Sequence, residues 1–243
     1  PLAPETFAVD KDQVAMALQR VRQDGRVAMG DAEARQILEA YGISTPSTLL
    51  ARDADEAVEF AAQIGFPVAI KIASPDILHK TDVGCVTLNV ANPNDVRDVF
   101  ELTVYRASRY VPDAEIWGCL VQEMVFGGRE VIVGMNRDPH FGPVLMFGLG
   151  GIYVEALRDV AFRVVPLDRR DAREMITEIQ TYHLLRGVRG DKPSDLGALA
   201  DALLRLAQLA TDFSEIVEFD VNPLTVFDEG GGLVGIDMRL VLA

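Results

Sequence analysis

The sequence predicts an α+β fold in two lobes. Two observations favour this class: helical patterns lie among strands that follow one another along the chain, and near residue 116 the pattern changes from helix-rich to strand-rich. A length of 243 residues, 49% of them hydrophobic, is enough for one large domain or two packed lobes. We therefore expect a first lobe over residues 1–117 and a second over 118–243.

Helical spacing of apolar residues opens the first lobe. It covers residues 10–24 and 31–41, the latter with Asp31 as a plausible N-cap and Gly42 as its end. The rest of this lobe is expected to contain, in order, a strand at 48–51, a helix at 53–64, strands at 68–73 and 86–91, and a helix at 94–110.

Strands dominate the second lobe. Its expected elements are strands at 120–125, 130–135, 144–147 and 160–165, helices at 168–181 and 194–211, and a hairpin of 216–227 with 233–240. The segment DEGGG at 228–232 is the predicted hairpin turn, because glycines supply the positive φ that a tight reversal needs.

Charge and composition exclude several classes of function. Lys and Arg number 23 against 37 Asp and Glu, a formal net charge of −14 that disfavours nucleic-acid and anionic-lipid partners. The longest apolar stretch, 143–154, is shorter than the roughly 18 residues that span a bilayer. Two isolated cysteines and a start without a secretory segment predict a cytoplasmic protein. Because the chain starts at Pro1, either a trimmed initiator or a larger polypeptide is compatible with it.

A lysine stands in the middle of an apolar strand. Lys71 lies in VAIKI, where a charge is costly unless an anion faces it or the side chain reaches water at a sheet edge. The loop that follows, part of a predicted phosphate loop at 74–85, carries Ser74, His79 and Lys80, donors and cations suited to covering phosphates. Neutral imidazole is a nucleophile near pH 7, so His79 is a candidate phosphoryl acceptor; the alternative is an inert loop histidine.

Oxygen-bearing side chains form a row near the end of the chain. Alternation in IVEFDVNPL places Glu218, Asp220 and Asn222 on one strand face. A turn centred on Gly230 brings Asn222 nearly opposite Asp237 of the partner strand. Such oxygens suit Mg²⁺, which needs one or two protein ligands besides phosphates and water, although a solvated strand face is an equal alternative.

Two further segments are less specific. Glu123 and Met124 lie at a strand end near the predicted lobe boundary, a common position for a ligand cleft. The glycines of GLGG at 148–151 lack the third glycine and the crossover helix of a dinucleotide fingerprint, so a Rossmann site is rejected.

Four motifs in order carry a family resemblance. The segments at 65–84, 128–167, 215–224 and 235–239 resemble the ATP-grasp domain of ADP-forming acyl-CoA synthetases, also called nucleoside-diphosphate-forming acetate–CoA ligases. The resemblance implies an ATP-grasp fold, in which two α+β lobes hold the nucleotide in a cleft between them. It covers nearly the whole chain, from about residue 12 onward.

The resemblance also implies roles for individual residues. Lys71 matches the phosphate-binding lysine, and His79 matches a histidine that shuttles phosphate on a mobile loop. The remaining matches are Gln122, Glu123, Met124 and Val125 as the hinge that meets adenine, Glu130 as a cleft acid, Asp220, Asn222 and Asp237 as magnesium-binding positions, and Arg163 as a nearby nucleotide-site residue. One departure is Cys85, where the family usually has a second glycine; a positive φ there would cost about 1 kcal/mol or more.

The expected function is the nucleotide half of a reversible synthetase. Acyl-CoA, ADP and phosphate would yield a carboxylic acid, CoA and ATP, with ATP/ADP and Mg²⁺ bound here and Lys71 and Lys80 neutralising phosphate charge. The implied partner is a subunit, or upstream domains, that bind CoA and carry a separate phosphohistidine. The alternatives are a non-catalytic ATP-binding module fused to an acyltransferase, and another ATP-grasp ligase that joins a carboxylate to an amine.

Overall fold

A computed structural model describes residues 5–77, 80, 83–151, 158–188 and 190–243. The chain divides into two compact units, a larger one of Pro1–Thr45 with Gly127–Ala243 and a smaller one of Pro46–Phe126. The helices are α1 (Lys11–Gln23), α2 (Asp31–Ala40), α3 (Ala54–Ile64), α4 (Pro93–Tyr110), α5 (Arg169–Glu178), α6 (Tyr182–Leu185) and α7 (Leu196–Asp212). The strands are β1 (Ala28–Met29), β2 (Thr48–Ala51), β3 (Val68–Ala73), β4 (Val86–Val90), β5 (Gly118–Glu123), β6 (Arg129–Asp138), β7 (Gly142–Leu149), β8 (Val160–Val164), β9 (Ile216–Val226), β10 (Leu233–Gly235) and β11 (Met238–Leu242). Within the described part of the chain, no helix is both long and apolar enough to cross a membrane.

The smaller unit is an antiparallel sheet with helices on one face. Its strand order is β2, β5, β3, β4. Alternate side chains of β3 and β5, including Ile70, Ile72 and Val121, form a core with residues from α3 and α4. Asp53 begins α3 by accepting hydrogen bonds from the next turn's backbone N–H groups, and Gly65 ends it at φ 103°.

The larger unit follows the same plan on a wider sheet. Its path runs β1, β11, β9, β6, β7, β8, with β10 also paired to β9. Buried residues of α1, α2, α5 and α7 form one core with one set of alternate strand residues, including Val133, Phe147 and Val221. Helices therefore cover one face of this sheet, and alternate residues such as Asp220 and Phe162 lie on the other.

Two side chains fasten α7 to the strands around it. At its start, Asp195 Oδ1 accepts from Ala198 N at 2.9 Å, and Asp195 Oδ2 accepts from Gly230 N and Gly232 N, both at 3.1 Å, in the β9–β10 turn. At its end, the Arg137 guanidinium of β6 donates to three backbone carbonyl oxygens, those of Ala210 at 2.7 Å, Ile216 at 3.0 Å and Phe213 at 3.3 Å. Because a cation at a helix C-terminus satisfies carbonyls that lack helical partners, Arg137 fixes the corner between α7 and β9.

Most predicted elements are present, with local differences. The helix predicted at 94–110 is α4 and that at 194–211 is α7, whereas the helix predicted at 168–181 ends at Glu178. The strand predicted at 233–240 is interrupted at residues 236–237, so it forms β10 and β11.

The compact units differ from the predicted lobes, 1–117 and 118–243. Strand β5, placed in the second lobe by its sequence, lies between β2 and β3 and belongs to the smaller unit. The N-terminal helices, placed in the first lobe, bury Leu18 and Ile37 in the core of the larger unit. The change of pattern near residue 116 marks a local change in element type, whereas sheet membership is set by pairing partners distant in sequence.

Candidate functional site

Lys71 occupies a central strand of the smaller sheet. It pairs with Leu120 of β5 on one side and with Val86 of β4 on the other. Its neighbours Ile70 and Ile72 point into the core with the helices, so Lys71 lies on the face that those helices do not cover. The residue is only 2% exposed. A central, buried position removes the alternative of a lysine reaching water at a sheet edge.

The predicted adenine hinge begins on the same face. Gln122 pairs with Ala69 and is 2% exposed. It is therefore a diagonal neighbour of Lys71, a relation that typically separates side chains by about 7–8 Å. The structure thus brings the candidate phosphate lysine and the first hinge residue to one sheet surface.

The later hinge residues lie at and beyond the end of β5. Glu123 exchanges two hydrogen bonds with Ser47: its N–H donates to Ser47 O at 2.8 Å, and its Oε2 accepts from Ser47 N at 3.1 Å. Its carboxylate is thereby anchored to the chain that enters β2. Met124 and Val125 are half-buried and follow directly.

The predicted phosphate loop is described at its two ends. Ser74 is buried, and its Oγ accepts from Asp76 N at 3.1 Å. Lys80 is half-buried, and its carbonyl accepts from Cys85 N at 2.9 Å. The candidate phosphoryl acceptor His79 lies outside the described residues.

The backbone of Cys85 does not adopt the strained positive φ that was considered when its position was compared with the glycine of the family. Among the described non-glycine residues, positive φ occurs at Asn89 and Arg158, and the positive φ of the loop is at Gly84, 65°. The Cys85 side chain is fully buried and its thiol lies 3.7 Å from Thr103 O. Burial raises the pKa of this thiol. The residue therefore serves as a packed, neutral end to the loop.

The acidic row has the predicted orientation in the larger unit. Phe219 and Val221 are buried in the core, whereas Asn222 is exposed on the other face. Met238 pairs with Val221, and Asn222 N donates to Asp237 O at 3.0 Å. The predicted register, with Asn222 opposite Asp237, is confirmed.

Arg239 is a member of this face to which the sequence reasoning gave no role. Its Nε donates to Asp220 Oδ1 at 3.1 Å, and its Nη2 contacts the Glu218 carboxylate. Alternation in GIDMRL puts Arg239 and Asp237 on the same strand face, so the position of Arg239 could have been predicted from the sequence. The single positive charge of Arg239 therefore offsets one of the two negative charges of Asp220 and Glu218.

The donor set of this face fits Mg²⁺. No group of three His, Cys, Asp or Glu residues able to hold a metal occurs in the described ranges. Mg²⁺ does not need one, since it commonly takes one or two protein oxygens and completes its shell with phosphates and water. The Asn222 amide and the Asp237 carboxylate supply two such oxygens on facing residues.

Glu130 and Arg163 occupy different faces of the large sheet. Glu130 is exposed near the start of β6, and its carbonyl accepts from Gly150 N at 2.9 Å, beside the glycine-rich turn. Arg163 pairs with Leu145, a core residue, and its guanidinium lies 2.6 Å from Glu178 of α5. The structure therefore does not bring Arg163 to the acidic row.

Asp159 is a buried carboxylate with a structural role. It accepts from Gln180 N at 2.7 Å, from Thr181 N at 2.8 Å and from the Thr181 hydroxyl. Burial alone would raise the pKa of Asp159, but these hydrogen bonds lower it below its ordinary value. It holds the chain between α5 and α6 against the start of β8.

The two helix-covered antiparallel sheets and the positions of these residues define an ATP-grasp protein. The profile of the ATP-grasp domain family matches residues 20–242. Among characterised relatives, the β subunit of ADP-forming acetate–CoA ligase II of Pyrococcus furiosus is 45% identical over 233 residues, which cover 96% of this chain and 99% of the relative. The chain therefore belongs to the family of β subunits and equivalent domains of ADP-forming acetate–CoA ligases.

Other relatives show two chain organisations. ADP-forming acetate–CoA ligase I of Archaeoglobus fulgidus is 46% identical over 97% of this chain, but the match covers only 34% of that longer protein.

Acetyl-coenzyme A synthetase 1 of Candidatus Korarchaeum cryptofilum, in complex with coenzyme A and Ca-AMPCP, superposes with a TM-score of 0.89 at 43% identity, over 93% of this chain and 98% of that chain. The same enzyme with coenzyme A and Mg-AMPPCP, its phosphohistidine segment pointing towards the nucleotide-binding site, gives a TM-score of 0.81 at 39% identity, over 94% and 99%.

Proposed function

We propose that the chain is the nucleotide-binding, phosphoryl-transferring part of an ADP-forming acyl-CoA synthetase. Together with a CoA-binding partner it would interconvert acyl-CoA, ADP and phosphate with a carboxylic acid, CoA and ATP. The observation that carries this proposal is Lys71, a cation buried in the centre of a sheet. This ammonium group lies on the sheet face that also carries Gln122, where it would neutralise the charge of a nucleotide phosphate.

Several residues support the binding of MgATP. Lys71 neutralises phosphate charge, and residues 122–125 contact the base from the neighbouring strand. Asn222 and Asp237 would hold Mg²⁺, which when bound would neutralise phosphate oxygens. Arg239 offsets one of the two negative charges of Asp220 and Glu218, which would reduce the repulsion of these carboxylates towards phosphate groups.

His79 is the proposed phosphoryl acceptor. A neutral imidazole nitrogen attacks the γ-phosphorus of ATP, the bond from that phosphorus to the β,γ-bridging oxygen breaks, and ADP leaves. Lys80, next in sequence, offsets the charge that builds on the transferred group. In the opposite direction the phosphohistidine returns its phosphoryl group to ADP.

The partner is proposed from the relatives. One relative is a separate β subunit, and another is a longer single chain of which this sequence matches about a third. We expect the CoA-binding part either in a second subunit or in upstream domains, so this chain alone should not make acyl-CoA. Both cysteines are free thiols, which agrees with a cytoplasmic location.

Phosphate labelling tests this function. Incubation of the full chain with γ-labelled MgATP should place acid-labile, alkali-stable phosphate on the protein. His79→Ala should abolish the label, whereas His140→Ala, a change of an exposed histidine, should leave it unchanged. Tight ATP binding without any label would contradict the phosphoryl-transfer role and favour a non-catalytic module. CoA-independent activation of an amine acceptor would favour a carboxylate–amine ligase.

A further inference from the structure

Both ends of the segment that contains His79 are held by side-chain contacts. On the N-terminal side, Asp76 Oδ2 accepts from Glu115 N at 2.7 Å, and Ile77 is buried at 3% exposure. On the C-terminal side, Arg106 Nη1 of α4 donates to Gly84 O at 3.1 Å. Asp76, Ile77 and Gly84, which flank His79 in sequence, are therefore held in place by hydrogen bonds or by burial.

The C-terminal attachment is the more extensive of the two. Thr103 and Arg106 are three residues apart and therefore share a face of α4. The carbonyl of Thr103 meets the Cys85 thiol at 3.7 Å, and Arg106 meets the adjacent Gly84 carbonyl. Cys85 in turn donates through its N–H to Lys80 O at 2.9 Å. A continuous set of contacts therefore runs from α4 to Lys80, the residue bonded covalently to His79.

The chemistry of this contact favours positioning over ligand binding. The guanidinium donates to a backbone carbonyl at a glycine with φ 65°, so it satisfies an acceptor at the turn itself. Phosphoryl transfer depends strongly on the alignment of nucleophile and leaving group, because the protein supplies little covalent chemistry. A support that fixes the base of the nucleophile's segment acts directly on that alignment.

We infer that Arg106 is a positioning residue for phosphoryl transfer, which holds the base of the His79 segment on α4 through the Gly84 carbonyl. This inference rests on the proposed role of His79. It assigns no contact between Arg106 and the nucleotide, so Arg106 should affect the rate of transfer and leave ATP affinity unchanged.

Single-turnover labelling of the full chain at saturating γ-labelled MgATP tests the inference. Arg106→Met should slow formation of the phosphoprotein about tenfold, the effect of losing one hydrogen bond from a charged donor, with an unchanged ATP dissociation constant. Arg106→Lys, which keeps a cationic donor, should recover most of the rate. Arg109→Met, which removes an exposed arginine three residues further along α4, is the matched control and should label at the wild-type rate.

A second readout reports the contact itself. Amide hydrogen exchange over residues 80–85 should accelerate in Arg106→Met. Asp76→Ala, which removes the hydrogen bond at the other end of the segment, should also slow phosphate labelling. Wild-type labelling rates in Arg106→Met, unchanged exchange, or a parallel loss of ATP affinity would each overturn the inference while leaving the role of His79 intact. Absence of label on the wild-type chain would refute the proposed function, and this inference with it.

Discussion

Asp195 connects the start of α7 to the glycine turn of the hairpin that carries Asn222. One carboxylate oxygen caps the helix through Ala198 N at 2.9 Å, and the other accepts from Gly230 N and Gly232 N at 3.1 Å each. Replacing Asp195 by Asn should separate these functions. Asparagine caps helices as well as aspartate does, but its NH₂ group would face two N–H donors at the turn.

The expected loss follows from these three contacts. The cap contributes about 1 kcal/mol. Each hydrogen bond between a turn N–H and the carboxylate contributes about 1 kcal/mol, less than is usual for a charged acceptor because the site is partly exposed. Asp195→Asn should therefore lower the free energy of unfolding by about 2 kcal/mol, and Asp195→Ala by about 3 kcal/mol.

The loss should depend on pH in a defined direction. The hydrogen bond from Ala198 N is the largest cause that lowers the pKa of Asp195, and those from Gly232 and Gly230 add to it. Because the folded-state pKa lies below the unfolded value of about 3.9, the stabilisation is complete above that value and disappears as the pH falls through the folded-state pKa. Wild type and Asp195→Asn should then converge in stability at strongly acidic pH.

Urea unfolding at pH 7 and at pH 3 or below measures both effects, and amide exchange over residues 228–235 locates the change at the turn. Asp53→Asn is the matched control, because Asp53 caps α3 through Asp55 N and Glu56 N without a turn partner. That change should cost a few tenths of a kcal/mol at most. An Asp195→Asn protein as stable as wild type at pH 7, or a deficit that persists undiminished in acid, would refute the reasoning.

Three further outcomes are expected. Asp237→Asn should weaken the Mg²⁺ dependence of ATP binding about tenfold by calorimetric titration, because it replaces a charged oxygen ligand by a neutral one. Arg137→Met removes a charged donor from three carbonyl oxygens and should lower the free energy of unfolding by about 2 kcal/mol in urea. Asp159→Asn should reduce the melting temperature at pH 7, and the deficit should shrink as the pH falls through the lowered pKa of Asp159.

The register of the C-terminal hairpin could be predicted because its determinants are local. Glycines at 228–232 fix the turn, and strict alternation fixes which residues face the core, so Asn222 and Asp237 follow as facing residues. The same alternation, applied to β8, would have placed Arg163 with the core and Phe162, which is 55% exposed, on the opposite face.

Strand pairings and contacts between residues far apart in the chain could not be predicted from local sequence patterns. The sequence of β5 predicts the start of a strand-rich region, yet the strands that pair with it in the sheet, β2 and β3, precede α4 in the chain. The contact of Arg106 with Gly84 joins residues 22 apart and follows from the packing of α4 beside β4. No local pattern specifies such a contact, since an exposed arginine on a helix has many equivalent environments.

The position of β9 has a consequence for ion binding. It is an 11-residue strand that pairs with β6 along one side and with β10 and β11 along the other. A strand held on both sides has little freedom left to lose when it receives a cation. We therefore expect ion capture at Asn222 to require little ordering of the backbone.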